Sequence, residues 1–455
     1  MLIIVSDLHL GDGTTADANP DSVFYLFANR LREMAYFASF RKDGTYRPVE
    51  QIDVVMLGDV LDPIHSTLWL DTQPSAVNFV RPWSDIKSPF FPRKLSEVTQ
   101  NIIDKNKIGL EVLRRCAAGE EVVLPPANQR GKPDPLSKER VHPNIRLHYT
   151  VGNHDWYYHL KGPEFDATRK MIIDTMGLSN SIDLFPYDIK ESPMLADVLQ
   201  RHKVFARHGD YYDKFNFNIE AGRDSATVGD AFAMEMLNRF PVEVKYQLGD
   251  QLPDSLIESL QHITNVRPAL ASSLWISGQI KRHAQNPAME GELKKIWNNL
   301  CDEFLALPYV REQDKAFEFD SVDAMELILK FSKRASFRTM NDIVIWVQEK
   351  LSEKERSFTQ HALNEPAFIN DIAKYVVYGH THHFEVVTLD TMGKPPHDER
   401  QVYINTGTWR SYFDLAVKKP EEEKFVPYQS MYYTAFYING EREGRQFEVW
   451  SGTYA

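Results

Sequence analysis

Five short apolar runs, each breaking off into side chains able to ligate a metal, constrain this chain more than any other feature. Leu2–Val5 leads to Asp7-Leu-His9, and Ile52–Leu57 leads to Gly58-Asp59-Val-Leu-Asp62. Ile145–Val151 leads to Gly152-Asn153-His154-Asp155, and Val204–Ala206 leads to Arg207-His208-Gly209-Asp210. Tyr375–Tyr378 leads to Gly379-His380-Thr-His382. Continuous β-branched runs of this length read as strands buried on both faces. In layered α/β architectures, function gathers at the carboxyl ends of such strands. Taken singly, each ending is weak, since Gly-Asp marks many turns and a lone histidine is usually a hydrogen-bonded one. His380 and His382 are stronger, because alternate residues leaving a strand share a side. Taken together, the endings offer carboxylate, imidazole and carboxamide donors, a mixture suited to Mn, Fe, Ni, Co or Zn. Seven donors are too many for one tetrahedral zinc with an open position. They suit two metals sharing a bridging carboxylate, the arrangement that clamps both oxygens of an in-line displacement at phosphorus.

Helical patterns lie between these runs. Asp21 is placed to cap a helix carrying Val23, Leu26, Phe27, Leu31 and Met34 on one face. Val98 to Ala117 and Phe165 to Met176 read similarly. Residues 63–94, rich in Pro, Trp and Phe, read as a long loop near the site, and residues 119–144 as a surface loop. Residues 224–370 read as a helical insertion, with amphipathic stretches at Ala231–Arg239, Ser255–Ile263, Ala269–Arg282, Glu292–Leu305, Val322–Lys333 and Met340–Lys350. Strands resume at Phe384–Leu389, Val402–Asn405, Tyr432–Ile438 and Gln446–Trp450. The catalytic domain is therefore expected over 1–223 and 371–455.

Composition narrows the function. Among 455 residues, 43% are hydrophobic and 25% charged, an ordinary globular balance, and the net charge is -12. An acidic total gives no general attraction to nucleic acid or anionic lipid. The insertion carries 16 basic against 22 acidic residues, so it is not a nucleic-acid arm. Its basic and aromatic stretch from Lys330 to Arg338 reads as a solvated helix face, the alternative being a phosphate or nucleic-acid contact. Cys116 and Cys301 are no disulfide framework and read as reduced thiols. With no run long enough for a membrane helix and no visible targeting segment, the expected location is cytoplasmic.

The ordered set D-x-H, G-D-x-x-D, G-N-H-D, a glycine-adjacent His and G-H-x-H resembles the calcineurin-like metallophosphoesterase superfamily. The resemblance covers about residues 1–220 and 371–455 and omits the insertion. It implies a four-layer α/β/β/α sandwich with two divalent metals at the strand ends, Mn the expected ion and Fe, Zn, Ni, Co or Mg the alternatives. It also implies that Asp7, His9, Asp59 and His382 hold one metal, and that Asp59 bridges to a second held by Asn153, His208 and His380. A water or hydroxide held by the metals would attack phosphorus. His154 would stabilise charge or protonate the leaving oxygen, Asp155 would orient His154, and Asp62 would hydrogen-bond a ligand imidazole. Asn405-Thr-Gly-Thr408 would line the site by its backbone. The expected activity is hydrolysis of a phosphomonoester, phosphodiester or pyrophosphate bond on a small phosphorylated substrate. Nuclease action on the same core and a non-catalytic protein-binding scaffold are the alternatives. The sequences Leu8-His9-Leu10-Gly11 and His208-Gly209-Asp210 look like the sugar-nucleotide lipid pyrophosphatase branch. That branch usually has Arg where this much longer chain has His154, so its substrate is not carried over. A cap role is expected for the insertion, whose two ends flank the ligands His208 and His380.

Overall fold

The computed structural model describes residues 1–84, 86–267, 271–283, 287–313, 358–393, 399–416 and 422–453. The stretches Val322–Lys333, Met340–Lys350 and Lys330 to Arg338 lie outside the described residues.

The first two apolar runs form parallel strands, β1 (Leu2–Val5) and β2 (Gln51–Leu57), in a register that sets Leu2 beside Asp53 and Val5 beside Met56. β3 (Asn144–Thr150) continues the parallel set beside β2. β4 (Val204–Ala206) pairs in parallel with β6 (Tyr375–Tyr378), and β6 in parallel with β8 (Glu399–Thr406). β7 (Phe384–Met392) closes that four-stranded sheet antiparallel to β8. The C-terminal strands β11 (Ser430–Phe436) and β12 (Phe447–Thr453) join the first sheet, β11 lying antiparallel to β1. The architecture is thus mixed α/β, built on several mixed sheets and helices.

Strand alternation sorts the apolar side chains into separate cores. Ile3, Val5, Val54 and Met56 share one cluster with Phe24, Phe27 and Leu31 of helix α1 (Asp21–Ala38). Leu2, Ile4, Val55 and Leu57 share another with Val204, Ala206, Val377, Val402 and Ile404 of the four-stranded sheet. The opposite face of that sheet puts Val376, Tyr378 and Tyr403 against Phe358, Ala362 and Phe368. Both faces of the parallel strands are dry, which is why they read as unbroken apolar runs.

Some helix boundaries depart from expectation. α1 is capped by Pro20 without a side-chain hydrogen bond, and Asp21 stands in the first turn, where its charge suits the helix dipole. The pattern read as one helix from Val98 to Ala117 is divided between α2 (Phe91–Lys105) and α3 (Lys107–Ala117). At the break, Asn106 Nδ2 donates to the carbonyls of Ile102 and Gly11, both at 2.8 Å. A side chain bonding local backbone in this way competes with the helix ladder. α4 (Pro163–Met176) ends at Gly177, whose φ of 70° suits a left-handed stop.

After α5 (Pro193–Arg201), the insertion carries α6 (Val228–Phe232), a π-helix (Ala233–Asn238), α7 (Arg239–Leu248), α8 (Asp254–Gln261), α9 (Ser272–His283), α10 (Pro287–Ala306) and α11 (Pro308–Gln313). Their core of Phe232, Leu256, Leu274, Trp297 and neighbours also takes in Leu415 and Phe425. The two-residue β5 (Val266–Arg267) pairs in parallel with β9 (Tyr412–Leu415), itself antiparallel to β10 (Phe425–Tyr428). The insertion therefore shares a sheet and a core with β9 and β10. Cys116 and Cys301 are both free and buried. Among the described residues, no helix is long and apolar enough to cross a membrane.

Candidate metal centre

Beyond their strands, the motif loops run side by side. Asp7 N–H donates to the carbonyl of Gly58 at 3.1 Å, and His9 N–H to that of Asp59 at 2.9 Å. Gly379 N–H donates to the carbonyl of His208 at 2.8 Å, so the fourth and fifth motifs are joined likewise. This lateral bonding holds a backbone that would otherwise be unfavourable: Asp7, His9, Asp59, His380 and His382 all have φ between 47° and 69°. Non-glycine residues there are uncommon, and their concentration at one place marks a site whose surroundings over-determine it. Close approach also demands glycine at Gly152, where a Cβ would strike Asp59 and His208, and at Gly58, where it would meet His208 Nδ1 at 2.5 Å.

The side chains converge. His9 Nε2 lies 2.9 Å from His382 Nε2 and 3.7 Å from both Asp7 Oδ1 and Asp59 Oδ2. His382 Nε2 is 3.4 Å from Asp7 Oδ1. A second group gathers around the same Asp59 oxygen, 3.2 Å from His208 Nε2. Asn153 Oδ1 is 3.2 Å from His208 Nε2 and 3.0 Å from His380 Nδ1. Donors held about 2.0–2.2 Å from one ion stand about 2.8–3.6 Å apart at tetrahedral or octahedral angles. The two 3.7 Å distances from His9 Nε2 lie just above that range, and the other spacings fall within it.

Three imidazoles are oriented in one manner. His9 Nδ1 faces Asp62 Oδ2 at 3.1 Å, and His208 Nδ1 faces the carbonyl of Leu57 at 2.9 Å. His380 Nε2 faces Asp213 Oδ2 at 3.2 Å. Each outer partner accepts only, so the outer nitrogen carries the proton and the inner one presents a lone pair. Those lone pairs meet the oxygens of Asp7, Asp59 and Asn153, acceptors facing acceptors, which is the chemistry of a cation site. The donor set thus fits two divalent ions sharing Asp59. Electrostatics agree. Burial opposes the charge on Asp7 and Asp59, but His208 and neighbouring imidazoles outweigh it and hold both carboxyls well below the usual range. Burial likewise opposes protonation of His208, yet Asp59 and Asp7 raise it well above the ordinary value. A field that draws a proton onto His208 draws a cation into the same space.

Asp62 is the hub beneath these groups. Its two oxygens take His9, His65 Nδ1 at 2.9 Å, His154 Nδ1 at 2.9 Å and Arg410 Nη1 at 2.6 Å. Asp155, expected to orient His154, instead turns back on its own loop. It accepts from Gly152 N–H at 2.6 Å, Val60 N–H at 2.8 Å and Tyr149 O–H at 2.6 Å. The carboxylate on His154 is Asp62, and Asp155 ties the second and third motifs together. Burial, with the nearby Asp59 charge, pushes the Asp155 carboxyl up to about 6. His154 packs its ring 4.7 Å from His9 and keeps 17% side-chain exposure. Burial lowers its proton affinity, but Asp62 and Asp59 more than reverse this, so its pKa is raised. Asp210 pairs with Arg223 Nη2 at 2.5 Å, and Arg223 Nη1 donates to the Gly152 carbonyl at 2.9 Å. In the Asn405–Thr408 segment, Thr408 Oγ1 donates to the Asp7 carbonyl at 2.6 Å.

His65, Asp213, Arg267 and Arg410 also stand here, unforeseen from sequence. His65 lies in the loop that the sequence places near the site, and Arg410 two residues beyond Thr408, so proximity was their only signal. Arg267 reaches the centre from the insertion, its Nε 3.3 Å from His382 Nδ1. No family model matches the chain, and neither does any curated protein.

Proposed function

We propose that the protein is a dinuclear-metal phosphoesterase of the calcineurin-like superfamily, hydrolysing a phosphomonoester, phosphodiester or pyrophosphate bond. The observation that carries this reading is the single Asp59 oxygen lying between two groups of inward-turned donors, 3.7 Å from His9 Nε2 and 3.2 Å from His208 Nε2. In this reading Asp7, His9, Asp59 and His382 hold one ion, and Asp59, Asn153, His208 and His380 the other. Mn is the first candidate for an all-oxygen and nitrogen set. When bound, the pair supplies Lewis-acid polarisation of the phosphoryl group and a nucleophile at neutral pH. His154, its Nδ1 fixed by Asp62, has Nε2 left to protonate the leaving oxygen. The order of the cores favours the four-layer sandwich: α1, the first sheet, the second sheet, then residues 358–369. The completeness of the donor set favours catalysis over a scaffold.

The test is metal content and turnover. Purified protein should carry two equivalents of divalent metal. Chelation should abolish hydrolysis of at least one substrate among monoesters, diesters, nucleotide sugars and single-stranded DNA, and Mn should restore it. Protein that takes up no metal and hydrolyses none of the panel would refute the proposal.

A further inference from the structure

Arg267 breaks the pattern of its neighbours. His9, His208 and His380 each turn their outer nitrogen to an acceptor, whereas the outer nitrogen of His382 faces Arg267 Nε at 3.3 Å. A guanidinium only donates. The contact therefore needs a lone pair on His382 Nδ1. An imidazole that gives its Nε2 lone pair to a cation keeps its proton on Nδ1, so this contact and ligation by His382 exclude each other. Once His382 serves as a ligand, Arg267 must turn to another acceptor.

The protein offers it little. Arg267 Nη1 is held by the carbonyls of Thr264 and Val266, both at 3.0 Å, while Nη2 has no acceptor among the described residues. The nearby carboxylate of Asp62 is taken by Arg410 at 2.6 Å. Arg410 is also engaged through Nε with Asn265 Oδ1 at 2.5 Å and through Nη2 with Thr264 Oγ1 at 3.1 Å. One arginine thus fastens the insertion to the metal centre, and the other leaves its Nη2 open beside it. The two guanidiniums repel each other, and the charges of Asp62, Asp414 and Asp7 only partly offset this and the burial of Arg267. Arg267 is fixed in place by the pairing of β5 with β9, which sets it beside Asp414.

We propose, on the basis of the phosphoesterase reading, that Arg267 is a substrate-binding residue whose guanidinium takes a non-bridging oxygen of the phosphoryl group. The insertion then completes the active site and does more than cover it. Guanidinium suits this task, since its planar donors match phosphoryl oxygens.

Inorganic phosphate is the probe, titrated calorimetrically into metal-loaded full-length protein, with metal content measured in parallel. Arg267→Gln should keep both ions and weaken phosphate binding about 10–100-fold, the loss of one charge-assisted hydrogen bond. Arg267→Lys, which keeps the charge but not the fork, should fall between Gln and wild type. Unchanged phosphate affinity in Arg267→Gln overturns the inference, as does loss of metal, which would make Arg267 a prop for His382. Should the Gln variant fail to fold, the Lys variant decides, and wild-type affinity there overturns the inference. Wild-type protein that binds neither metal nor phosphate removes the phosphoesterase reading itself, an outcome distinct from a normal wild type with an unaffected variant.

Discussion

At the scale of single residues, the proposed roles separate groups that would hold a metal from one that would move a proton. His154→Ala is expected to retain both ions while turnover falls by about 10²–10⁴-fold, the usual worth of a positioned acid. Metal analysis beside steady-state kinetics checks this, and metal loss would make His154 a ligand. Asp62 is the more costly position. It is 1% exposed and accepts from His9, His65, His154 and Arg410. Asp62→Ala leaves the Arg410 guanidinium buried without its counter-charge, a loss of about 3–5 kcal/mol. Denaturant titration measures it, and a change below 1 kcal/mol would deny Asp62 its place as hub. Every residue proposed as a ligand was readable from sequence, because each stands where an apolar run stops. Asp62 and Asp155 could be found but not given their partners. Both follow a motif closely, and only the folded loops decide which carboxylate turns to His154. Arg410 had only its nearness to Thr408 as a signal and Arg267 had none, since a lone arginine in a loop or insertion is ordinary.

Individual elements are tied together by polar contacts that respond to pH. His159, in the turn after the third motif, bonds Asp224 Oδ1 at 2.6 Å and Glu191 Oε1 at 3.0 Å. Burial opposes both charges. Even so, Asp224 and Glu191 raise His159, and His159 with the N–H groups of Asp188 and Tyr187 pushes Glu191 down to about 2. The lowered acid stabilises above its unfolded value of about 4.3, and this is lost as pH falls toward 2. The raised histidine stabilises below about 6.5, and this is lost as pH climbs through its folded value. The cluster is therefore strongest between about pH 4.3 and 6.5. Glu191→Gln should lower the melting temperature most near pH 5.5 and least near pH 2, and a pH-independent difference would contradict the assignment. Element types were legible where the period was strong, as in α1 and α4. The break at Asn106 was not, because it depends on the Gly11 carbonyl about ninety-five positions earlier in the chain.

For the whole molecule, the insertion is woven in and not merely appended. Sequence alone suggests that a Gly-Ser linker could replace residues 224–370 and leave a working body. Yet Leu415 and Phe425 are buried in the insertion's core, and Arg410 takes two acceptors, Asn265 and Thr264, from it. The trimmed protein is therefore expected to aggregate or to melt well below the intact one. A monodisperse trimmed protein of unchanged melting temperature would show the coupling to be negligible. The boundary was illegible because the tie between Val266 and Phe413 joins distant stretches of chain through a two-residue strand. A different consequence follows from β11. This strand pairs with β1, and His380 and His382 meet Asp7 and His9, only after the long stretch of chain between them has been made. At roughly 5–20 residues per second of synthesis, the first strand waits on the order of 20–90 s for its late neighbour. Throughout that interval a nascent chain shows an open strand edge and an incomplete ligand set. On the two-metal reading, ion uptake is thereby deferred until the chain between these strands has been made, and a chain stalled before β11 offers chaperones an edge without a complete donor set.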